Sequence, residues 1–150
     1  MSLSISIVSE GFLYRAVPGI MGFLETAALY SRGRTSPDAL LLCICSKRYQ
    51  LWVVHDEALK LHGIFLTEEI QYPKSKLLCI QHCVIEPNLM AEVEDQMQTI
   101  AERYARDTKC NGVEFVGRPG WKRHALKYGY KAQSVKYQKF FEEAQNEKAA

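Results

Sequence analysis

Apolar and polar positions along this chain change period several times, and each change predicts an element. Ile5 and Ile7 alternate with serines, which predicts a short first strand. Pro18 suits the first turn of a helix, and Phe23, Leu24, Ala27, Ala28 and Tyr30 then recur at helical spacing. Residues 32–36 read as a loop. Ser36-Pro37-Asp38 supplies a capping hydroxyl, a proline at the first helical position and an acid in the first turn, so a second helix is expected over 37–46. Gln50–His55 reads as a strand, Asp56-Glu57 as a turn, and 59–67 as another strand with Gly63 as a possible bulge. Residues 70–75 read as a connector, because Pro73 cannot donate to a ladder.

The run LLCIQHCVI at 77–85 is almost wholly apolar or neutral, which predicts a central strand covered on both faces. Pro87 then opens the clearest helix, with Leu89, Val93, Met97, Ile100 and Tyr104 on one stripe. Acids lie near its start, and Arg103, Arg106 and Lys109 near its end, as the helix dipole favours. A short strand over 113–116 follows Asn111-Gly112. Gly117-Arg118-Pro119-Gly120-Trp121 then turns the chain into a helix ending at Tyr128, and a last strand is expected over 131–141. The tail 142–150 is polar or small and is expected to fray. The order β-α-α-β-β-β-α-β-α-β is that of a mixed α/β sheet, with an antiparallel meander followed by one parallel crossover.

At 150 residues with 47% hydrophobic composition, this is one domain with a core of its own. A net charge of +2 is too small to argue for nucleic acid, and the lysines at 127, 131, 136 and 139 read as a solvated strand face. The first residues lack the basic region of a signal peptide, and no apolar run approaches the ~20 residues of a membrane helix, so the expectation is a cytoplasmic protein. Five cysteines without a paired C-x₂-C pattern read as free thiols, with Cys43, Cys45, Cys79 and Cys83 buried in apolar runs, and no metal site is expected. Pattern and charge do not decide between a monomer and a homo-oligomer.

The element order, with Leu126-Lys127-Tyr128-Gly129-Tyr130 ending the last helix, resembles the GNAT N-acetyltransferase superfamily. Gln50-Leu51-Trp52, the stretch Thr67-Glu68-Glu69-Ile70-Gln71-Tyr72-Pro73 and the turn at 117–121 also resemble small phage-encoded GNAT-like proteins. The resemblance implies a GNAT-like fold and transfer of an acyl group from acetyl-CoA to an amine. The cofactor would lie between the central strand and strand 113–116, against Val84, Ile85, Asn88 and Arg118. His82 or Glu86 would serve as general base, and Glu69, Tyr72 and Trp121 would meet the acceptor or a partner. The phage likeness implies the alternative of a non-catalytic scaffold, bound to phage or host proteins in the host cytoplasm or the virion.

Three departures bear on the chemistry. Residues 85–91, IEPNLMA, contain no glycine where the family cradles pyrophosphate on bare backbone N–H groups, and Pro87 has no N–H at all. The family's general-acid tyrosine falls on Ala125. Its asparagine near the start of the last helix falls on Arg118.

Overall fold

The computed structural model describes residues 2–141. Five strands form one sheet in chain order: β1 (Ser4–Ile7), β2 (Gln50–His55), β3 (Leu61–Gln71), β4 (Lys76–Ile85) and β5 (Gly112–Phe115). The first four run antiparallel, and β5 lies parallel to β4. Helices α1 (Leu13–Tyr30) and α2 (Pro37–Cys45) precede β2, α3 (Met90–Asp107) makes the crossover from β4 to β5, and α4 (Lys122–Lys127) follows. The sheet is thus covered by helices on both faces.

Side chains divide between those faces by strand alternation. Leu51, Val53, Ile64, Leu66 and Val84 pack with Ile20, Leu24 and Ala27 of α1 and Leu40 and Ile44 of α2. On the other face Leu78 and Ile80 meet Ala101 and Ala105 of α3, while Trp52 and Phe65 meet Met97. Trp52 stacks on Phe65 with centroids 5.4 Å apart, and its indole N–H donates to the buried Thr67 hydroxyl at 3.0 Å. β4 is therefore covered on both faces, as its composition predicts. Each fully buried Leu or Ile contributes about 1.5–3 kcal/mol.

Most predicted elements are present, with four differences. α1 begins at Leu13, not at Pro18, which lies inside the helix. The lost hydrogen bond is outweighed by burial of Ile20, Leu24 and Ala27 further along the same stripe. β3 continues through Ile70 and Gln71, which pair with Leu77 and Lys76, so Pro73 sits at the hairpin tip where no ladder donor is required. α3 starts at Met90: Asn88 takes φ 69°, a left-handed conformation that asparagine tolerates, and this interrupts any helix begun at Pro87. The strand expected over 131–141 is absent from the sheet. Residues 131–140 adopt no regular element, and 131–139 are exposed. The tail 142–150 lies outside the described residues.

Local devices hold the rest. Ser36 caps α2 by accepting the Ala39 N–H at 3.1 Å, as expected. A bulge at His62 lies beside Gly63, where a Cβ would stand 2.7 Å from the Val84 carbonyl oxygen. A second bulge at Gln81 in β4 falls between Leu66↔His82 and Thr67↔Ile80. Cys79 is buried, Cys43, Cys83 and Cys110 are half-buried, and Cys45 is exposed, contrary to expectation, because α2 turns it away from the sheet. Among the described residues no helix is long and apolar enough to cross a membrane.

Candidate functional site

Two strands that start together and then part make a cavity. β4 and β5 pair from Leu77↔Gly112 to Ile80↔Phe115 and no further. Residues 81–85 of β4 run on with β3 on one side only, while the chain after Phe115 turns away through Gly117. That turn requires glycine: a Cβ on Gly117 would lie 2.8 Å from the Phe115 ring and 2.9 Å from Trp121 Cβ. The gap is a cavity of about 390 Å³, lined by Cys83, Val84, Ile85, Met90, Tyr30, Arg118, Gly120 and Trp121. Open α/β sheets commonly place ligand sites at the carboxyl ends of their strands.

One wall of the cavity is apolar and the other carries charge and aromatic faces. The Arg118 guanidinium lies 4.0 Å from the Tyr30 ring centroid, a cation–π contact that holds it across the mouth. Trp121 is half-buried, with its ring edge-on to Phe115 at 6.0 Å and to His124 at 5.2 Å. The tryptophan thus packs onto the sheet end and lines the cavity at once. A neighbouring cavity of about 450 Å³ shares Met90, Gly120 and Trp121 and adds Glu94, Arg123, His124 and Lys127. The two form one groove across the start of α3. In it Glu94 accepts from Lys127 at 2.6 Å and from His124 Nδ1 at 3.1 Å, which hold its carboxyl below the usual range. Among the described residues Arg118 and Arg123 have no carboxylate partner.

β4 brings the two candidate bases into different settings. The Gln81 bulge puts Gln81 and His82 on the α1–α2 face, where Gln81 donates to Glu68 at 2.8 Å and His82 lies 6.2 Å from the Tyr49 ring. His82 is half-buried, and its nitrogens have no hydrogen-bond partner among the described residues. Burial lowers its pKa, so the imidazole is neutral at pH 7. It stands two residues from Val84 on the same face, about 7 Å along the strand. Glu86, just past the strand, is engaged: its carboxylate accepts from His62 Nδ1 at 2.8 Å, and its amide donates to the His62 carbonyl. His62 Nε2 reaches Asp56 at 2.9 Å. Asp56 first and Glu86 second raise the His62 pKa, as expected of an imidazolium shared by two carboxylates.

Of the residues singled out in the sequence, Val84, Ile85, Arg118 and Trp121 meet in the cavity, while His82 and Glu86 flank it on β4. Asn88 stands in the turn between β4 and α3, outside the lining residues. Glu69 and Tyr72 are at the opposite end of the β3–β4 hairpin: Glu69 pairs with Leu78, seven residues before Ile85, or about 23 Å along the strand. There Glu69 binds Lys76 at 2.8 Å, and the Tyr72 hydroxyl donates to Glu114 at 2.6 Å. Tyr30, Cys83 and Met90 carry no signal in the sequence that would place them at a site. Arg118, Trp121, Lys122 and Arg123 read in the sequence as a basic, aromatic rim able to cradle an anion or grip a partner, and of these Arg118, Trp121 and Arg123 line the two cavities. The Cys83 thiol, pushed up to about 12 by burial, is fully protonated and acts as an apolar wall.

No family model matches the sequence, and no curated protein matches it significantly. Solved structures do. Glucosamine-6-phosphate N-acetyltransferase from Arabidopsis thaliana superposes with a TM-score of 0.66 at 14% identity, covering 95% of this chain and 100% of that one. An aminoglycoside acetyltransferase from an uncultured soil metagenomic sample, solved with sisomicin, gives 0.64 at 16%, covering 93% and 97%. A transcriptional regulator from Bacillus halodurans gives 0.69 at 16%, covering 93% and 100%. At such identities the likeness establishes architecture, and the chain has the GNAT acetyltransferase fold.

Proposed function

We propose that the protein is an N-acyltransferase that carries an acyl group from acetyl-CoA to an amine. The observation that carries this reading is the opening between β4 and β5, with an unpartnered neutral imidazole on the strand that forms its wall. The thioester arm fits against Val84, Ile85 and Met90. Peptide groups of β4 beyond Ile80 that face the opening have no β5 partner, and an N–H there can polarise the thioester carbonyl. The amine nitrogen attacks the carbonyl carbon, and the carbon–sulfur bond breaks. His82 takes the proton from nitrogen, and a proton ends on the departing thiolate. Because Ala125 replaces the expected tyrosine, His82 itself or water returns that proton. Most of the rate then comes from holding amine and thioester together.

Phosphate binding is the demanding step, since the turn at 86–89 holds Pro87 and no glycine. Arg118 and Arg123, on either side of Trp121, offer side-chain charge in place of a backbone cradle. Glu86, tied to His62, fixes the end of β4 rather than acting as base. The glycine-free turn also favours a second reading, a non-catalytic protein that uses the fold as a binding scaffold in a phage assembly.

Calorimetric titration with acetyl-CoA and CoA separates the two. Micromolar affinity, about −8 kcal/mol, is expected. Absence of binding at millimolar ligand by folded protein overturns the acyltransferase and leaves the scaffold. Once an acceptor is found, His82→Gln should lower kcat by about 10²–10⁴-fold with cofactor affinity unchanged.

A further inference from the structure

The turn at 86–89 is poorly made for an anion. It holds Pro87 and no glycine, and Glu86 puts a carboxylate one residue past Ile85, which lines the cavity. A buried imidazole offsets that charge. His62 of β3 is 6% exposed at its side chain, and each of its ring nitrogens meets a carboxylate. Nδ1 lies 2.8 Å from Glu86 Oε2, and Nε2 lies 2.9 Å from Asp56 Oδ2. Both nitrogens can donate at once only in the protonated ring. The pair is tied a second time through the backbone, where the Glu86 amide donates to the His62 carbonyl at 2.9 Å.

The two carboxylates are not held alike. Asp56 Oδ1 also accepts from the Ala58 and Lys60 amides, at 2.9 and 3.0 Å, so Asp56 stays in place whatever the ring does. Glu86 is 38% exposed at its side chain, and among the described residues its carboxylate has no other hydrogen-bond partner. A neutral ring has a single N–H. Given to the fixed Asp56, it leaves a lone pair facing Glu86 and an uncompensated charge at the end of β4. The other titratable and charged groups around the cluster are engaged elsewhere or exposed. His55 bonds the Ser6 hydroxyl and the Asp56 carbonyl, and Glu57 accepts from the Ser2 amide. α1 meets β3 at Leu61 through Gly19, and its Arg15 lies over the Phe12 and Tyr14 rings. Glu25 of α1, Lys60 before β3 and Glu92 in the first turn of α3 are exposed.

We propose that His62 is a positioning residue for the anionic part of the cofactor: by holding Glu86 in an ion pair, it removes a repelling charge from the turn between β4 and α3. Anion binding at that turn is thereby coupled to the imidazole proton. The proposal rests on the acyl-transfer reading, which supplies CoA as the anion. The sign follows from linkage. A bound phosphate favours the protonated ring, so affinity is full below the folded-state pKa of His62 in the unliganded chain and falls as pH rises through it. Asp56 first and Glu86 second raise that value, so the window lies above about 6.5. A phosphate monoester takes its second charge at about pH 6, below the window, and does not produce the same slope.

Calorimetric titration of the full chain with acetyl-CoA and with S-acetylpantetheine, which lacks phosphate, tests it from about pH 6 to about pH 9. The dissociation constant of acetyl-CoA should rise about threefold or more, the effect of one added charge on a polyanion across partly screening solvent. That of S-acetylpantetheine should stay constant. His62→Gln should bind acetyl-CoA weakly at both ends of the range. Glu86→Gln, which keeps a hydrogen-bonding partner for the ring and loses the charge, should bind it tightly at both. Acetyl-CoA bound without a pH slope overturns the proposal and leaves the acyltransferase reading standing. A slope that persists in Glu86→Gln, or that appears equally with S-acetylpantetheine, overturns it as well. Absence of acetyl-CoA binding at every pH overturns both.

Discussion

At the scale of single residues, the environment of a side chain matters more than its type. His82 and Glu86 were equal candidates by sequence because both follow from position near the end of one strand. The fold separates them by giving Glu86 a histidine partner and His82 none. The same contact gives a stability prediction. His62 has a raised folded-state pKa, so its contribution is fully present below the ordinary imidazole value of about 6.5 and is lost as pH rises through the folded value. Asp56, lowered chiefly by its bond from His62, contributes above the ordinary aspartate range and loses that contribution as pH falls through its own folded value. Denaturant midpoints of His62→Gln should therefore fall furthest below wild type in mildly acidic buffer, and the gap should narrow toward alkaline pH. A gap independent of pH would mean that the imidazole titrates alike in the folded and unfolded chain, and a gap that widens toward alkaline pH would mean that the fold holds it neutral. Nothing in the one-dimensional spacing of Asp56, His62 and Glu86 announced this cluster, because it is made by a bulge in β3 and the end of β4 meeting across the sheet.

At the scale of elements, periodicity placed each helix and each of the five strands of the sheet, while the boundaries were decided by pairing. β3 runs four residues beyond its predicted end because Lys76 and Leu77 stand ready to pair with it. Gly63 shows how tightly that pairing is held. A methyl group there meets the Val84 carbonyl oxygen and, at 3.0 Å, the Ile85 Cα, neither of which can rotate away. Gly63→Ala should cost about 1–3 kcal/mol in chemical denaturation by forcing β3 from β4. A loss within error of zero would show that the bulge at His62 absorbs the strain. The strand expected at 131–141 illustrates the limit of pattern: alternation records what a segment can do, and only a neighbouring edge realises it.

At the scale of the whole molecule, the site is a product of two strands diverging and a helix crossing above them. Arg118 and Arg123 reach one groove because the turn at 117–121 and α4 fold back against the start of α3, through the bond from His124 Nδ1 to Glu94 and the bond from the Gln98 amide to His124 Nε2. Replacing both arginines by glutamine should weaken CoA at least about tenfold, or 1.4 kcal/mol, while leaving binding of a phosphate-free pantetheine thioester unchanged. Equal losses for both ligands would place the arginines in the fold rather than in phosphate recognition. The amino-acid sequence by itself determined the mixed α/β class, the double-sided burial of β4 and the missing glycine cradle, since hydrophobic period, proline and glycine act locally along the chain. Tertiary structure alone decided the cavity, the isolation of His82, the capture of Glu86, and the remoteness of Glu69 and Tyr72. The physical reason is that these depend on register, and in a sheet a bulge or a parting of two strands redirects side chains that are neighbours in sequence and brings together others far apart in it.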